Sequence, residues 1–167
     1  MRHEILLFSD LHLHNWSFGS TLGEHGHNSR LTHGLNVISR MYAEAHQRSI
    51  PHIVFPGDLF HARNSVASEV MERTFQSLKF NAHRYPGIDL TILLGNHDWD
   101  RSVTFSSVMI FGSIQGIKVV SSPQTFSLFN GEVNCLFIPY TPHADQFKNT
   151  LKRNPGVDAI FVHQGFS

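Results

Sequence analysis

The chain has 167 residues, 41% hydrophobic and 16% charged, a balance that fits one globular domain with a real core and excludes a disordered chain. Lys and Arg together number 13 against 13 acids, so no bulk positive field drives nucleic-acid binding, and only a local basic rim stays open. The single cysteine, Cys135, excludes an internal disulfide, and its apolar run Cys135-Leu136-Phe137-Ile138 reads as core.

The N-terminal apolar run "EILLF" (4–8) is too short for a signal peptide or a membrane span, so the expectation is a soluble, cytoplasmic protein with no membrane partner. It reads instead as a buried strand, followed by a polar loop over 14–30. Leu31, Leu35, Ile38, Tyr42 and Ala45 recur at spacings of three and four, which predicts a helix capped by Asn28 or Ser29. "HIVF" (52–55) is the second strand. A second helix starts near Ser65, with Val66, Val70, Phe75 and Leu78 on one face, and "DLTILL" (89–94) is the third strand. A short helix is expected over 104–114, then a strand at "IKVV" (117–120). Asn130-Gly131 between two alternating runs signals a hairpin. A helix around 143–153 precedes a last strand, "AIFVH" (159–163). Strand alternating with helix predicts an α/β domain with a mixed, mostly parallel central sheet, right-handed crossovers and helices over its faces.

Each main strand ends in polar residues. The first runs into Asp10-Leu11-His12, the second into Gly57-Asp58, the third into Gly95-Asn96-His97-Asp98, and the last into His163. Strand ends of an open α/β sheet gather on one edge, where ligands bind. Polar side chains packed there are costly unless something binds them. The donors are nitrogen and oxygen with no thiolate, which suits Mn, Fe, Zn or Mg. In an extended segment Asp10 and His12 would project to the same side. A carboxylate such as Asp58 can bridge two cations, and two cations about 3.5–4 Å apart clamp a phosphoryl group for in-line attack. Asn96 then reads as a metal ligand and His97 as facing the substrate.

The segments "SDLHLH", "PGDLFH", "LLGNHDW" and "FVHQGF", in that order, resemble the signature of the calcineurin-like metallophosphoesterase superfamily. "GDLFHAR" and "VHQG" look most like its DNA-repair nuclease branch, the SbcD-type nucleases of bacteria and phages. The resemblance implies a dinuclear centre, most commonly of Mn²⁺. Asp10 and His12 would hold one ion, Asp58 would bridge, and Asn96 and His163 would hold the other. His97 would stabilise the transition state and protonate the leaving oxygen, and His61 would touch the scissile phosphate. It also implies a phosphoester substrate, DNA in that branch, and an ATPase partner subunit. The superfamily's G-H-x-H motif does not occur in these 167 residues, so the expectation is one phosphoesterase domain over 1–167, without that segment or a cap domain and with weakened metal binding. Two other functions remain open on the sequence: a phosphomonoesterase or small-molecule phosphodiesterase of the same superfamily, and a non-catalytic fragment with a vestigial metal site.

The remaining polar residues have plainer readings. Asp98 is expected to support a turn or a ligand rather than to bind metal. His14, His25, His27 and His33 belong to a solvated loop and helix start, or the loop over 14–30 forms one rim of a cleft. Arg30, Arg63 and Arg101 are surface charges or phosphate contacts.

Overall fold

A computed structural model describes residues 3–23, 26–63, 65–99 and 106–165. Strands β1 (Ile5–Leu7), β2 (His52–Phe55), β3 (Asp89–Leu93) and β4 (Ile117–Val120) form a four-stranded sheet in chain order, every pair parallel. Helices α1 (Ser29–Gln47) and α2 (Ser68–Arg84) supply the first two crossovers. The 3₁₀ helix Ser107–Ser113 lies in the third. It stands where the short helix was expected; residues 104 and 105 lie outside the described residues, as do His25 and Arg101.

Helix α1 buries Leu31, Leu35, Ile38, Tyr42 and Ala45, the stripe its spacing predicts. The Asn28 side chain caps it, accepting from the Arg30 and Leu31 amides. Helix α2 begins at Ser68, three residues later than expected, and buries Val70, Thr74, Leu78, Asn81 and Ala82. The apolar ones, Val70, Leu78 and Ala82, join the α1 stripe and Ile53, Phe55, Leu90 and Ile92 from one face of the parallel sheet in one cluster.

The other face is covered by a second sheet and not by helices. Strands β5 (Gln124–Leu128) and β6 (Val133–Ile138) form the expected hairpin, and β7 (Ala159–Val162) joins β6 in parallel. The antiparallel pairing therefore sits in a separate three-stranded sheet. Cys135, Phe137 and Leu128 meet Val54, Leu93 and Val120 in a second apolar cluster. The reason is periodic. Val54 lies between Ile53 and Phe55 and so points away from α1 and α2, and that face needs an apolar cover. The alternating hairpin offers one, while Ser121-Ser122-Pro123 carries the chain out of β4. Helix α3 (Ala144–Arg153) links β6 to β7 and has no buried residue.

The two sheets are tied at the edge where the site forms. The Tyr140 amide, just past β6, donates to the Leu94 carbonyl just past β3, and within the second sheet the His163 amide, just past β7, donates to the Ile138 carbonyl.

Candidate metal centre

Beyond β1 and β2 the backbone does not stay extended. Asp10, His12 and Asp58 have φ of 59°, 45° and 59°, in the left-handed region where residues other than glycine are uncommon. The Asp10 amide donates to the Gly57 carbonyl and the His12 amide to the Asp58 carbonyl, so the two segments run side by side. The Asp10 and His12 side chains do converge, but through two left-handed residues and not through strand alternation. Backbone held in this region by its surroundings clusters at functional sites.

One buried carboxylate organises the turn. Asp98 accepts from the backbone N–H groups of Asp58 (2.8 Å), Gly95 (2.9 Å), Phe60 (3.1 Å) and Leu59 (3.3 Å). Burial pushes its carboxyl up from the ordinary value, and the amides of Gly95, Phe60 and Leu59 pull against that rise. Asp98 thus fastens the loop after β3 to the loop after β2, the supporting role expected of it. Gly95 allows the close approach, because a Cβ there would collide with the Asp58 side chain and amide.

Asp58 is 4% exposed, and its two oxygens serve different neighbours. The Nε2 of His12 lies 3.6 Å from Oδ2 of Asp58 and 3.8 Å from Oδ1 of Asp10. The Nε2 of His163 lies 3.5 Å from Oδ1 of Asp58 and 3.1 Å from Oδ1 of Asn96. Most of these separations are long for hydrogen bonds. The two His163 separations fall within the roughly 3–3.5 Å expected between ligands that share an ion at about 2.1 Å, and the two His12 separations lie just beyond it.

The donor chemistry points the same way. Nδ1 of His163 lies 2.9 Å from the Pro56 carbonyl, which can only accept, so Nδ1 carries a proton. In the neutral ring Nε2 is then a lone pair, meeting a carboxylate oxygen and an amide oxygen with no donor between them. A cation, a further proton, or the Asn96 amide turned to present its NH2 satisfies that arrangement. A backbone carbonyl orienting a histidine in this way is the usual outer support of a metal-binding imidazole. The Nδ1 of His12 is buried with no partner among the described residues.

His97 and His61 stand beside this cluster. The His97 amide donates to Oδ1 of Asp58, and its Nδ1 donates to the His61 carbonyl at 2.7 Å, leaving Nε2 without a hydrogen-bond partner among the described residues. Its ring lies 4.8 Å from that of His12 and 5.6 Å from that of His61. Burial, and then the neighbouring His14, His97 and His12, hold the His61 imidazole below its ordinary pKa. All seven residues singled out in the sequence, Asp10, His12, Asp58, His61, Asn96, His97 and His163, therefore gather at one edge.

Other residues near the site were not legible in the motifs. The Trp16 ring lies 4.3 Å from the His61 ring, and the Arg30 guanidinium sits 4.4 Å over Trp16. The loop over 14–30 is held by several bonds: Asn28 donates to the Trp16 carbonyl, Arg30 to the Phe18 carbonyl and the Thr21 amide to Ser29 Oγ. His14 packs against Trp16 and His61, while His27 pairs with Glu69. A tryptophan four residues past a candidate ligand was the available signal, but sequence gives no means of folding that loop back onto His61.

Residues 3–165 match the family model described as calcineurin-like phosphoesterase. No curated protein sequence matches the chain. Among solved structures, the chain is similar to a nuclease MPE from Pseudomonas putida, at 19% identity and a TM-score of 0.44, over 84% of this chain and 55% of that one. It is similar to a dimetal phosphatase from Danio rerio at 12% identity and a TM-score of 0.49, over 87% and 49% of the two chains. The corresponding figures for the E. coli phosphoesterase Yfce are 17%, 0.41, 83% and 57%. The chain spans about half the length of these structures.

Proposed function

Because the chain belongs to the calcineurin-like phosphoesterase family, we propose that it is a metal-dependent phosphodiesterase acting on DNA in the cytoplasm, with Mn²⁺ as its ion. The observation that carries this reading is the split use of Asp58, one oxygen toward His12 and the other toward His163. Asp10, His12 and Asp58 would hold one ion, and Asp58, Asn96 and His163 the other. Two bound cations would polarise the phosphoryl oxygens and offset the charge that develops on them.

The protein's own groups do the rest. His97, fixed through Nδ1 on the His61 carbonyl, directs Nε2 toward the leaving oxygen, and in its imidazolium form it would give that oxygen the Nε2 proton and be left neutral with the Nδ1 proton in place. His61, beside it, contacts the scissile phosphate. Asp98 and Gly95 keep Asp58 and Asn96 in register. A cleft of about 380 Å³ continues from Asp10 and His12 to Trp16, Arg30 and His33, and its cationic and aromatic lining favours a diester with a further phosphate over a monoester.

Zero net charge favours a second reading, a small-molecule phosphoesterase, since long-range steering of DNA would be weak. Comparing hydrolysis of bis-p-nitrophenyl phosphate and p-nitrophenyl phosphate with Mn²⁺ separates the two. Faster diester hydrolysis, followed by cleavage of linear DNA, supports the first. Preference for the monoester supports the second.

A further inference from the structure

The two halves of the candidate centre open onto clefts of opposite character. On the Asp10 and His12 side the lining includes Arg30 and His33. On the Asn96 side a larger cleft of about 680 Å³ runs between Trp99, Tyr140, Pro139, Pro142 and Ser121, and none of its described lining residues is charged. We infer that this second cleft is a subsite for an uncharged heteroaromatic ring, the nucleobase of the nucleotide whose phosphate lies at the centre. The inference rests on the phosphodiesterase reading and extends it from a phosphate to the group next to it.

The volume falls in the range of small-ligand sites, which are mostly apolar with a few placed polar groups. Trp99, Tyr140 and the prolines give flat apolar walls, on which any base can stack. With no cation among the described lining residues, a phosphate or carboxylate entering it would be desolvated without compensation from them. The serine hydroxyls supply neutral donors and acceptors. The Trp99 indole N–H itself is buried with no partner among the described residues, so the ring meets a ligand through its exposed face and not through this donor.

The far wall is rigidly tied to the centre. The Tyr140 amide is bonded to the Leu94 carbonyl, two residues before Asn96, and the Tyr140 ring lies 6.5 Å from the His163 ring. Thr141 Oγ1 donates to Gln146 Oε1 at 2.8 Å, fixing the first turn of α3 against the same wall. A phosphate at Asn96 and His163 would therefore have its attached nucleoside beside the wall that Tyr140 and Trp99 line.

The test is a titration of the metal-free chain with 2′-deoxyadenosine, followed by the two indole N–H resonances, with Trp99 assigned through Trp99→Phe. The Trp99 resonance is expected to shift saturably at millimolar nucleoside and not with 2-deoxyribose. Ser122→Leu, on the exposed rim of the cleft, should weaken binding at least fivefold by occupying it, and Tyr140→Leu should do so by removing a stacking face. Absence of a shift, a shift confined to Trp16, or affinity unchanged in Ser122→Leu would overturn the subsite. The nucleoside has no phosphate and the titration uses no metal, so the result is independent of the aryl phosphate assays. Failure of those assays would remove the phosphodiesterase reading and leave this measurement standing.

Discussion

Asp58 is the residue on which both halves of the candidate centre depend. Asp58→Asn removes one anionic oxygen and the charge that would hold two cations together. Hydrolysis of bis-p-nitrophenyl phosphate is expected to fall to background, with the far-UV circular dichroism unchanged because Asp58 lies past a strand end and outside the apolar clusters. Turnover within twofold of the parent would remove the assignment. His97→Ala should behave differently. With its Nδ1 engaged by a carbonyl and its Nε2 unbonded among the described residues, the side chain is assigned to proton transfer, so kcat should drop about 10²–10⁴-fold while metal stoichiometry holds. Loss of an ion in that variant would make His97 a ligand. These seven residues were legible because motif spacing and strand ends need only local sequence. The conformation that brings them together was not. Left-handed φ at Asp10, His12 and Asp58 is imposed by the paired loops, and the mild preference of Asp and His for that region does not single out these positions among the other aspartates and histidines of the chain.

At the scale of elements, the site is two loops laced to one carboxylate. Asp98→Ala strands four backbone N–H groups in a buried turn. The expected cost is about 3–5 kcal/mol in denaturant unfolding, and Asp98→Asn, which keeps an acceptor oxygen, should recover part of it. A change under 1 kcal/mol for Asp98→Ala would show that water satisfies these amides. Gly95→Ala tests the close approach of the same loops. Its Cβ would strike Asp58, so Mn²⁺ affinity should fall at least tenfold, with stability lowered by about 1–3 kcal/mol. Helices α1 and α2 were readable because an amphipathic stripe declares its own period, and the stripe of α1 is the buried one. The second sheet was not readable as a separate layer. Alternation in β5 and β6 shows that one face is buried, but whether the hairpin extends the first sheet or stacks on it depends on what covers Val54, Leu93 and Val120.

For the whole molecule, no helix among the described residues is long and apolar enough to cross a membrane. The two sheets together bring residues from Asp10 to His163 to one edge, and the proposal gives each ion three protein donors, with Asp58 shared. In the family's signature the G-H-x-H motif contributes further histidines, and these 167 residues contain none. The expectation is therefore weak Mn²⁺ binding at fewer than two ions per chain, strengthened when a G-H-x-H segment is supplied. Ligand binding to the folded state alone raises its stability by mass action, so the same ions should raise the melting temperature. The central claim is that this edge is a cation site organised by Asp58. Calorimetric titration of Mn²⁺ into the parent chain and into Asp58→Asn tests it most directly. Saturable binding in the parent that disappears in the variant is the predicted result; no binding in the parent, or equal binding in both, would contradict it.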